Sequence, residues 1–330
     1  MKILIATDAW TPQVNGVVTT LTSLVANLSQ DHEVKIIEPS QFKSFPIPVY
    51  PEIRASLDVF NAKSILKSFK PDAIHISTEG PIGIYLRNYL VRKKIPFTTA
   101  VHTKFPDYLK DLMGLPTSIT NEFLKWFHSG AQKTLVNTPS HKKELEQIGL
   151  KNLKLWKRAV DRNVFMPMLG NNEKSYYLYV GRVSKEKNLE AFFDLDLEFP
   201  KFVVGEGPQF KEYKKKYPSI NFLGYKYGKE LAEIYSKARV MVFPSLTDTF
   251  GLVMLEANAC GTPVAGYPVT GPIDVISQGK NGFYAEDLKA AVEKAEKINS
   301  EDCVSFANQF SWDQVTKAVS YTHLTLPTSR

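Results

Sequence analysis

One stretch of the chain, Phe243–Val264, carries two carboxylates in a setting suited to a hydroxyl-rich anion. Its apolar start predicts a strand, and a loop with Asp248 then leads into a helix that begins near Gly251 or Leu252. A helix start offers unpaired backbone amides and a positive dipole to an anionic ligand. Glu256 lies about one turn inside that helix, where its carboxylate can accept both hydroxyls of a ribose. Two such acceptors beside a group of amide donors favour a polyol diphosphate as the ligand.

The same stretch resembles the motif of glycosyltransferase family 4, in which two acidic residues are separated by seven others. The family usually has Glu at the first position, where this chain has Asp248. The Thr-Asp-Thr-Phe-Gly version is similar to the branch of diacylglycerol glycosyltransferases, sulfoquinovosyl transferases and GDP-mannose-dependent alpha-mannosyltransferases. The resemblance implies the α/β fold called GT-B, with two Rossmann-like, doubly wound parallel-sheet domains that face a cleft. It also implies a donor site that includes Phe250, Gly251, Leu252 and Glu256, with Asp248 in a catalytic role.

The activity implied by the resemblance is a retaining, metal-independent transfer of a hexose from a nucleotide-sugar, with no cofactor. The resemblance assigns the cations for this reaction to Gly181–Asn188. This segment follows a predicted strand and opens a helix. Arg182 and Lys187 have the family's spacing for the pair that binds the donor diphosphate, where fixed cations stabilise charge on the departing nucleotide. Each of them taken alone is equally compatible with an exposed basic turn. The sequence does not distinguish a UDP-linked from a GDP-linked donor.

Two segments of the first half also match the family. Val101–Tyr108 matches its His-Thr loop, which implies that His102 is a catalytic residue that faces the donor sugar. Thr7–Val18 is similar to its first loop, in which Gly16 lets the backbone approach the donor diphosphate or the acceptor without a side chain in the way. A lone histidine is more often structural, and Gly16 also fits a turn at a helix entry, so both assignments depend on the resemblance.

Two acidic residues keep open roles. Glu79, in Thr78–Pro81, also matches the branch and is a candidate for the acceptor side. Asp161 ends a turn in which Ala159 replaces the family's usual Gly, and it is compatible with either a structural role or a place near the site.

These motifs are separated by an alternation of apolar runs and helical stretches, which predicts parallel, doubly wound sheets. The alternation stops at the turn-rich segment Asn163–Lys174 and then restarts. We therefore expect an acceptor-binding domain over residues 1–165, a nucleotide-sugar-binding domain over 166–319 and a non-native tail over 320–330. Predicted strands are Lys2–Ala6, Glu33–Ile37, Ala73–Ile76, Phe97–Val101, Thr134–Val136, Tyr176–Val180, Lys201–Val204, Ile220–Leu223 and Val240–Phe243. Predicted helices are Val17–Leu28 and stretches near 58–69, 81–92, 119–131, 139–148, 188–193, 209–216, 228–237 and 252–259.

Composition narrows the compartment and the partners. The chain is 43% hydrophobic and 23% charged, which is globular, and no stretch approaches the roughly 20 apolar residues of a membrane span. The absence of a signal peptide and of a disulfide framework favours the cytoplasm. Residues 1–165 carry 22 Lys and Arg against 14 Asp and Glu, a net +8, whereas residues 166–330 carry 19 against 20, a net −1. A basic first half suggests nucleic acid, an acidic membrane surface or merely a solvated surface. With the branch resemblance it favours a lipid acceptor, diacylglycerol first, at the inner face of the membrane.

Other functions are weighed against this interpretation. A sugar-nucleotide epimerase of the same architecture and a non-enzymatic anionic-ligand-binding protein remain alternatives, whereas the chain has no nucleic-acid-binding motif. Asp194–Asp196 mimics a manganese-binding pair but is expected at the surface. Gly205–Pro208 mimics a dinucleotide loop but lacks the third glycine, and the two cysteines cannot supply a zinc site.

Overall fold

The computed structural model describes residues 1–47, 50–104, 116–168, 173–312 and 315. The chain divides into two compact units. The first unit consists of Met1–Lys157 together with the segment that begins at Trp312, and the second unit is Arg158–Ser311. The change of unit therefore lies before the boundary expected after residue 165. The reason is that Val160 is already packed in the core of the second unit, so the turn-rich segment belongs to that unit. The expected tail, residues 320–330, lies outside the described residues.

The first unit contains a parallel sheet of six strands in the order β2-β1-β5-β6-β7-β8, with a separate antiparallel hairpin of β3 and β4. Isoleucines of β5 and the inner sides of helices α2, α3 and α4 share one apolar core, which places these three helices on the same side of the sheet. In chain order its elements are β1 (Lys2–Ala6), α1 (Gly16–Leu28), β2 (Glu33–Ile37), β3 (Ser44–Ile47), β4 (Tyr50–Ser56), α2 (Asn61–Phe69), β5 (Ala73–Ile76), α3 (Pro81–Lys93), β6 (Thr98–Val101), α4 (Thr117–Ser129), β7 (Lys133–Val136), α5 (Pro139–Gln147) and β8 (Leu153–Leu155).

The second unit contains another parallel sheet of six strands, in the order β11-β10-β9-β12-β13-β14. This order is that of a Rossmann sheet, and its strands read as continuous apolar runs because both faces are covered. In chain order its elements are β9 (Tyr176–Val180), α6 (Leu189–Phe193), β10 (Lys201–Val204), α7 (Phe210–Lys216), β11 (Asn221–Phe222), α8 (Gly228–Lys237), β12 (Ala238–Phe243), α9 (Leu252–Ala259), β13 (Val264–Gly266), α10 (Pro272–Val275), β14 (Gly282–Tyr284), α11 (Leu288–Ala295) and α12 (Ser300–Ala307).

The segment from Trp312 returns to the first unit through Trp156. This tryptophan is fully buried and donates its indole N–H to the carbonyl oxygen of Val315 at 3.3 Å. Within the described part of the chain, no helix has both the length and the apolar character needed to cross a bilayer.

Candidate active site

The point at which strand order reverses in the second sheet lies between β9 and β12. In sheets of this kind the ligand binds beyond the carboxyl ends of the strands at that reversal. The loop after β9 holds Arg182 and Lys187, and the loop after β12 holds Asp248. The topology therefore brings together the cations and the carboxylate that the sequence analysis assigned to the donor.

The two loops are joined by an ion pair. Lys187 Nζ donates to both carboxylate oxygens of Asp248 at 2.8 Å, and each side chain is about four-fifths buried. Burial opposes the ionisation of Asp248, but the neighbouring ammonium outweighs it and lowers the pKa of the carboxyl below its usual value. Asp248 is thus an ionised hydrogen-bond acceptor at neutral pH. In the absence of a ligand its partner is the lysine that we assigned to the diphosphate.

Glycines shape the loop after β9 by allowing backbone-to-backbone contact. A Cβ at Gly205 would lie 2.0 Å from the carbonyl oxygen of Gly181, and a Cβ at Gly207 would lie 2.4 Å from that of Val183. Gly205 also has a φ of +121°, which side-chain-bearing residues rarely adopt. Gly205–Pro208, the segment that mimics a dinucleotide loop, therefore packs against and supports the loop after β9 that holds Arg182 and Lys187. We call the latter the cation loop.

Helix α9 begins directly after Gly251, whose φ is +77°. A Cβ there would lie 2.8 Å from Cζ of Phe243, so the entry to the helix is tightly packed. Phe250 is buried in the core of the second unit, and Leu252 packs against the same core. Since the Phe250 side chain faces inward, this residue can contribute to a donor site only through its backbone.

Glu256 lies on the buried side of α9 and is 7% exposed. The hydroxyl of Tyr235, on α8, donates to its Oε2 at 3.0 Å. Burial raises the pKa of Glu256 to about 7, although the tyrosine hydrogen bond acts in the opposite direction. The hydrogen bond of Tyr235 to Glu256 could not be predicted from the sequence. Helical periodicity identifies Tyr235 as a core residue but does not reveal where its hydroxyl points.

In the first unit, the order of strands reverses between β1 and β5, and Asp8 ties their two loops together. Its Oδ1 accepts from the amide of Ile82 at 2.9 Å and its Oδ2 from the hydroxyl of Thr78 at 3.0 Å. Burial raises the pKa of Asp8 to about 6. This residue fixes the start of α3 relative to the first loop of the chain.

Gly16 is the first residue of α1, which Asn15 caps by accepting from the amides of Val17 and Val18 at 3.0 Å. A Cβ at Gly16 would meet no atom within 4 Å, and its φ is not positive. Neither backbone conformation nor packing therefore requires glycine at this position.

His102 directly follows β6 and is 7% exposed. Its ring packs edge-on against Trp156, with the ring centres 6.0 Å apart. His75, in contrast, is fully buried and its Nδ1 shares a hydrogen bond of 2.8 Å with Thr98, a structural role. Residues 105–108 of the His-Thr segment lie outside the described residues.

Glu79 is largely buried, and one of its carboxylate oxygens lies 3.3 Å from Nε2 of His128. His128 also shares a hydrogen bond of 2.9 Å with Thr99 through Nδ1. Asp161 accepts from the amide of Asn163 at 2.9 Å and so caps a turn of the second unit.

Asp196, of the pair that mimics a manganese site, and the two cysteines lie outside these loops. The Asp196 side chain is fully exposed, and both cysteines are buried and free. Among the described residues, no three His, Cys, Asp or Glu side chains converge as metal ligands do.

Comparison with known proteins identifies the chain. The family profile "Glycosyltransferase Family 4" matches residues 14–164, and "Glycosyl transferases group 1" matches residues 162–311. A GDP-mannose-dependent alpha-mannosyltransferase of Corynebacterium glutamicum is 26% identical over 89% of this chain and 80% of its own length. A sulfoquinovosyl transferase of Arabidopsis thaliana is 30% identical over 84% of this chain and 57% of its own length. An alpha-monoglucosyldiacylglycerol synthase of Streptococcus pneumoniae is 28% identical over 89% of this chain and 78% of its own.

Solved structures agree on the fold. The crystal structure of Anabaena HepE in complex with UDP superposes with a TM-score of 0.76 at 15% identity, over 99% of this chain and all of the other. The two profiles together span residues 14–311, which include every strand of both sheets except β1. The chain therefore belongs to glycosyltransferase family 4 and has the GT-B fold.

Proposed function

We propose that the protein is a retaining, metal-independent hexosyltransferase that uses a UDP- or GDP-linked sugar and a membrane lipid acceptor, diacylglycerol first. The observation that carries the donor part is the Lys187–Asp248 ion pair at the strand reversal of the second sheet. A diphosphate competes with Asp248 for the lysine, and the released carboxylate of Asp248 then accepts hydrogen bonds from the sugar. Arg182 completes the cationic pair, and Glu256 takes the ribose.

The transfer itself follows from these charges. The bond between the anomeric carbon and the leaving phosphate oxygen breaks, and the acceptor oxygen bonds to the same face of that carbon. The leaving phosphate takes the acceptor's proton, while Arg182 and Lys187 stabilise its negative charge. His102 hydrogen-bonds the donor sugar. Within this scheme no side chain acts as a covalent nucleophile, unlike the second carboxylate of a retaining glycosidase.

Substitution of the cations tests the donor site. Loss of a hydrogen-bonded charge partner costs roughly 1.5–3 kcal/mol, so Lys187→Ala and Arg182→Ala should each weaken donor binding about ten- to a hundredfold. Lys185→Ala, at an exposed lysine of the same loop, is the matched control and should bind normally. Normal turnover in both Arg182→Ala and Lys187→Ala would show that the diphosphate binds elsewhere. A thermal-shift series of UDP- and GDP-sugars identifies the nucleotide, because specific binding raises the melting temperature.

Two measurements test the mechanism, one for metal independence and one for retention of the anomeric configuration. Activity that is abolished by EDTA and restored by Mn²⁺ would refute metal independence. NMR assignment of the product's anomeric configuration tests retention, and inversion would refute it.

The lipid part is supported by the S. pneumoniae relative, whose name specifies diacylglycerol, and by the surface of the first unit. Leu86, Leu90 and Phe127 are fully buried and belong to the core of the first unit. Other apolar side chains are exposed on α3, on α4 and on the segment between β4 and α2. We call this set the apolar rim: Leu57, Phe60, Val91 and Trp126, which are 62%, 70%, 40% and 41% exposed.

Cations accompany the apolar rim. Arg92, Lys93 and Lys94 are exposed beside Val91. Arg87 is buried and instead supports the Trp126 ring, whose centre lies 4.2 Å from the guanidinium. Aromatic rings with Lys and Arg suit the headgroup region of a bilayer, and each cation near an acidic surface contributes about 1 kcal/mol.

Vesicle sedimentation tests this surface. The double variant Phe60→Ser/Trp126→Ser should bind phosphatidylglycerol vesicles at least about tenfold more weakly at low salt, because two large apolar side chains no longer insert. Met166→Ser, at an exposed apolar residue of the second unit, is the control and should bind as the wild type does. If the wild-type protein does not bind the vesicles and glycosylates a soluble sugar instead, the proposal of a lipid acceptor is refuted. The proposal of a glycosyltransferase is unaffected by that result.

A further inference from the structure

Asn137 stands directly after β7, in line with His102 and Trp156. The pairing of Val101 with Val136 and of Val136 with Leu155 puts these three residues at one register position on adjacent strands. Neighbouring strands are about 4.8 Å apart. Asn137 therefore lies between the histidine and the tryptophan whose rings approach to 6.0 Å.

The carboxamide of Asn137 is buried and unsatisfied. The residue is 4% exposed, and within the described part of the chain neither Oδ1 nor Nδ2 has a hydrogen-bond partner. Buried polar groups of folded proteins are nearly always paired, so a group with two unpaired atoms needs an explanation. Ser77, which follows β5 at the same edge of the sheet, is fully buried and its hydroxyl is also unpaired among the described residues.

We propose that Asn137 is a substrate-binding residue that hydrogen-bonds the reacting hydroxyl group of the acceptor beside His102. A carboxamide offers one acceptor oxygen and two N–H donors, and an alcohol both donates and accepts, so the two groups satisfy each other. A carboxamide is also neutral, which suits an alcohol better than a phosphate. The assignment rests on the proposed function in one respect, namely that the first unit holds the acceptor.

Asn137→Ala tests the assignment through four measurements. The acceptor KM should rise about tenfold, as expected for the loss of a hydrogen bond of about 1.4 kcal/mol. The affinity for the donor and the slow hydrolysis of the donor by water should stay at wild-type values. The melting temperature of the ligand-free protein should stay the same or rise, because the substitution removes a buried amide that has no partner.

The matched control is Ser56→Ala. Ser56 is also buried, and its hydroxyl is likewise unpaired among the described residues, but it ends β4 in the hairpin, away from this edge. It should leave the acceptor KM unchanged. Asn137→Asp, which keeps the shape and adds a charge, separates loss of the amide donors from loss of volume.

Three results would overturn the proposal. One is an unchanged acceptor KM in Asn137→Ala, which would mean that water satisfies the amide. Another is an equal loss of donor affinity, which would place Asn137 on the sugar donor. The third is a lower melting temperature with proportionate loss of every activity, which would mark a structural role. Failure of the proposed function is seen separately, because wild-type protein would then bind no nucleotide-sugar, whatever the variant does.

Discussion

Glu256 gives a prediction whose size follows from its burial. The pKa of this carboxyl rises from 4.5 to about 7. At that pKa about a tenth of the protein carries an ionised Glu256 at pH 6 and about nine tenths at pH 8. Only the ionised carboxylate can accept hydrogen bonds from the ribose hydroxyls with both of its oxygens. The affinity for the donor should therefore rise about tenfold from pH 6 to pH 8. In Glu256→Gln the affinity should be lower at pH 8 and should no longer depend on this ionisation.

Calorimetric titration with the nucleotide diphosphate measures both proteins across that range. Glu293→Gln, at an exposed glutamate of α11, is the control and should keep the wild-type profile. The reasoning fails if the wild-type affinity is flat between pH 6 and pH 8, or if Glu256→Gln shows the same tenfold rise.

The same ionisation affects stability with a definite sign. Because the pKa is higher in the folded than in the unfolded state, the protonated carboxyl stabilises the fold, fully so below pH 4.5. That contribution is lost as the pH rises through about 7 and amounts to about 3 kcal/mol, since each pH unit is worth about 1.4 kcal/mol. The free energies of unfolding of the wild type and Glu256→Gln, measured with urea, should therefore diverge progressively between pH 5 and pH 8. The variant should become more stable relative to the wild type as the pH rises.

Two glycine substitutions should behave in opposite ways. Gly205→Ala places a Cβ 2.0 Å from the Gly181 carbonyl oxygen, so it should displace the cation loop, lowering both the melting temperature and donor affinity. Gly16→Ala meets no atom within 4 Å and improves helix propensity by up to about 1 kcal/mol, so thermal unfolding should show unchanged or higher stability. Its kcat/KM should nevertheless fall if a ligand approaches that backbone, and an unaffected kcat/KM would make Gly16 a simple helix-entry residue.

Much of the fold follows from the sequence because buried parallel strands are continuous apolar runs. Lys2–Ala6, Tyr176–Val180 and Lys201–Val204 were predicted with their observed limits. The β3–β4 hairpin and the three-residue strands β8, β13 and β14 were missed. Val264–Gly266 is too short to show a period, and its strand conformation depends on pairing with β12, which no local pattern encodes.

The sequence locates the candidate loops of the site but does not reveal the contacts between them. The loops with Lys187 and Asp248 could be recognised, yet 61 residues separate the two, and only the strand order brings the ammonium onto the carboxylate. Asn137 carries no motif of its own, and its position beside His102 emerges only from the register of β6 and β7. The apolar rim could not be located from the sequence for a related reason, since mixed basic and apolar stretches do not reveal which side of a helix faces the core.

The hydrogen bond from Trp156 to Val315 has a consequence for biosynthesis. The tryptophan leaves the ribosome long before its partner does, because 159 positions separate them. The whole of the second unit is synthesised in that interval, so the nascent first unit must wait with an unfilled indole contact. A protein released before Val315 is translated would therefore lack the hydrogen-bond partner of the Trp156 indole, whose ring packs against His102. Termination before Val315 is thus expected to affect the half of the enzyme that is encoded first.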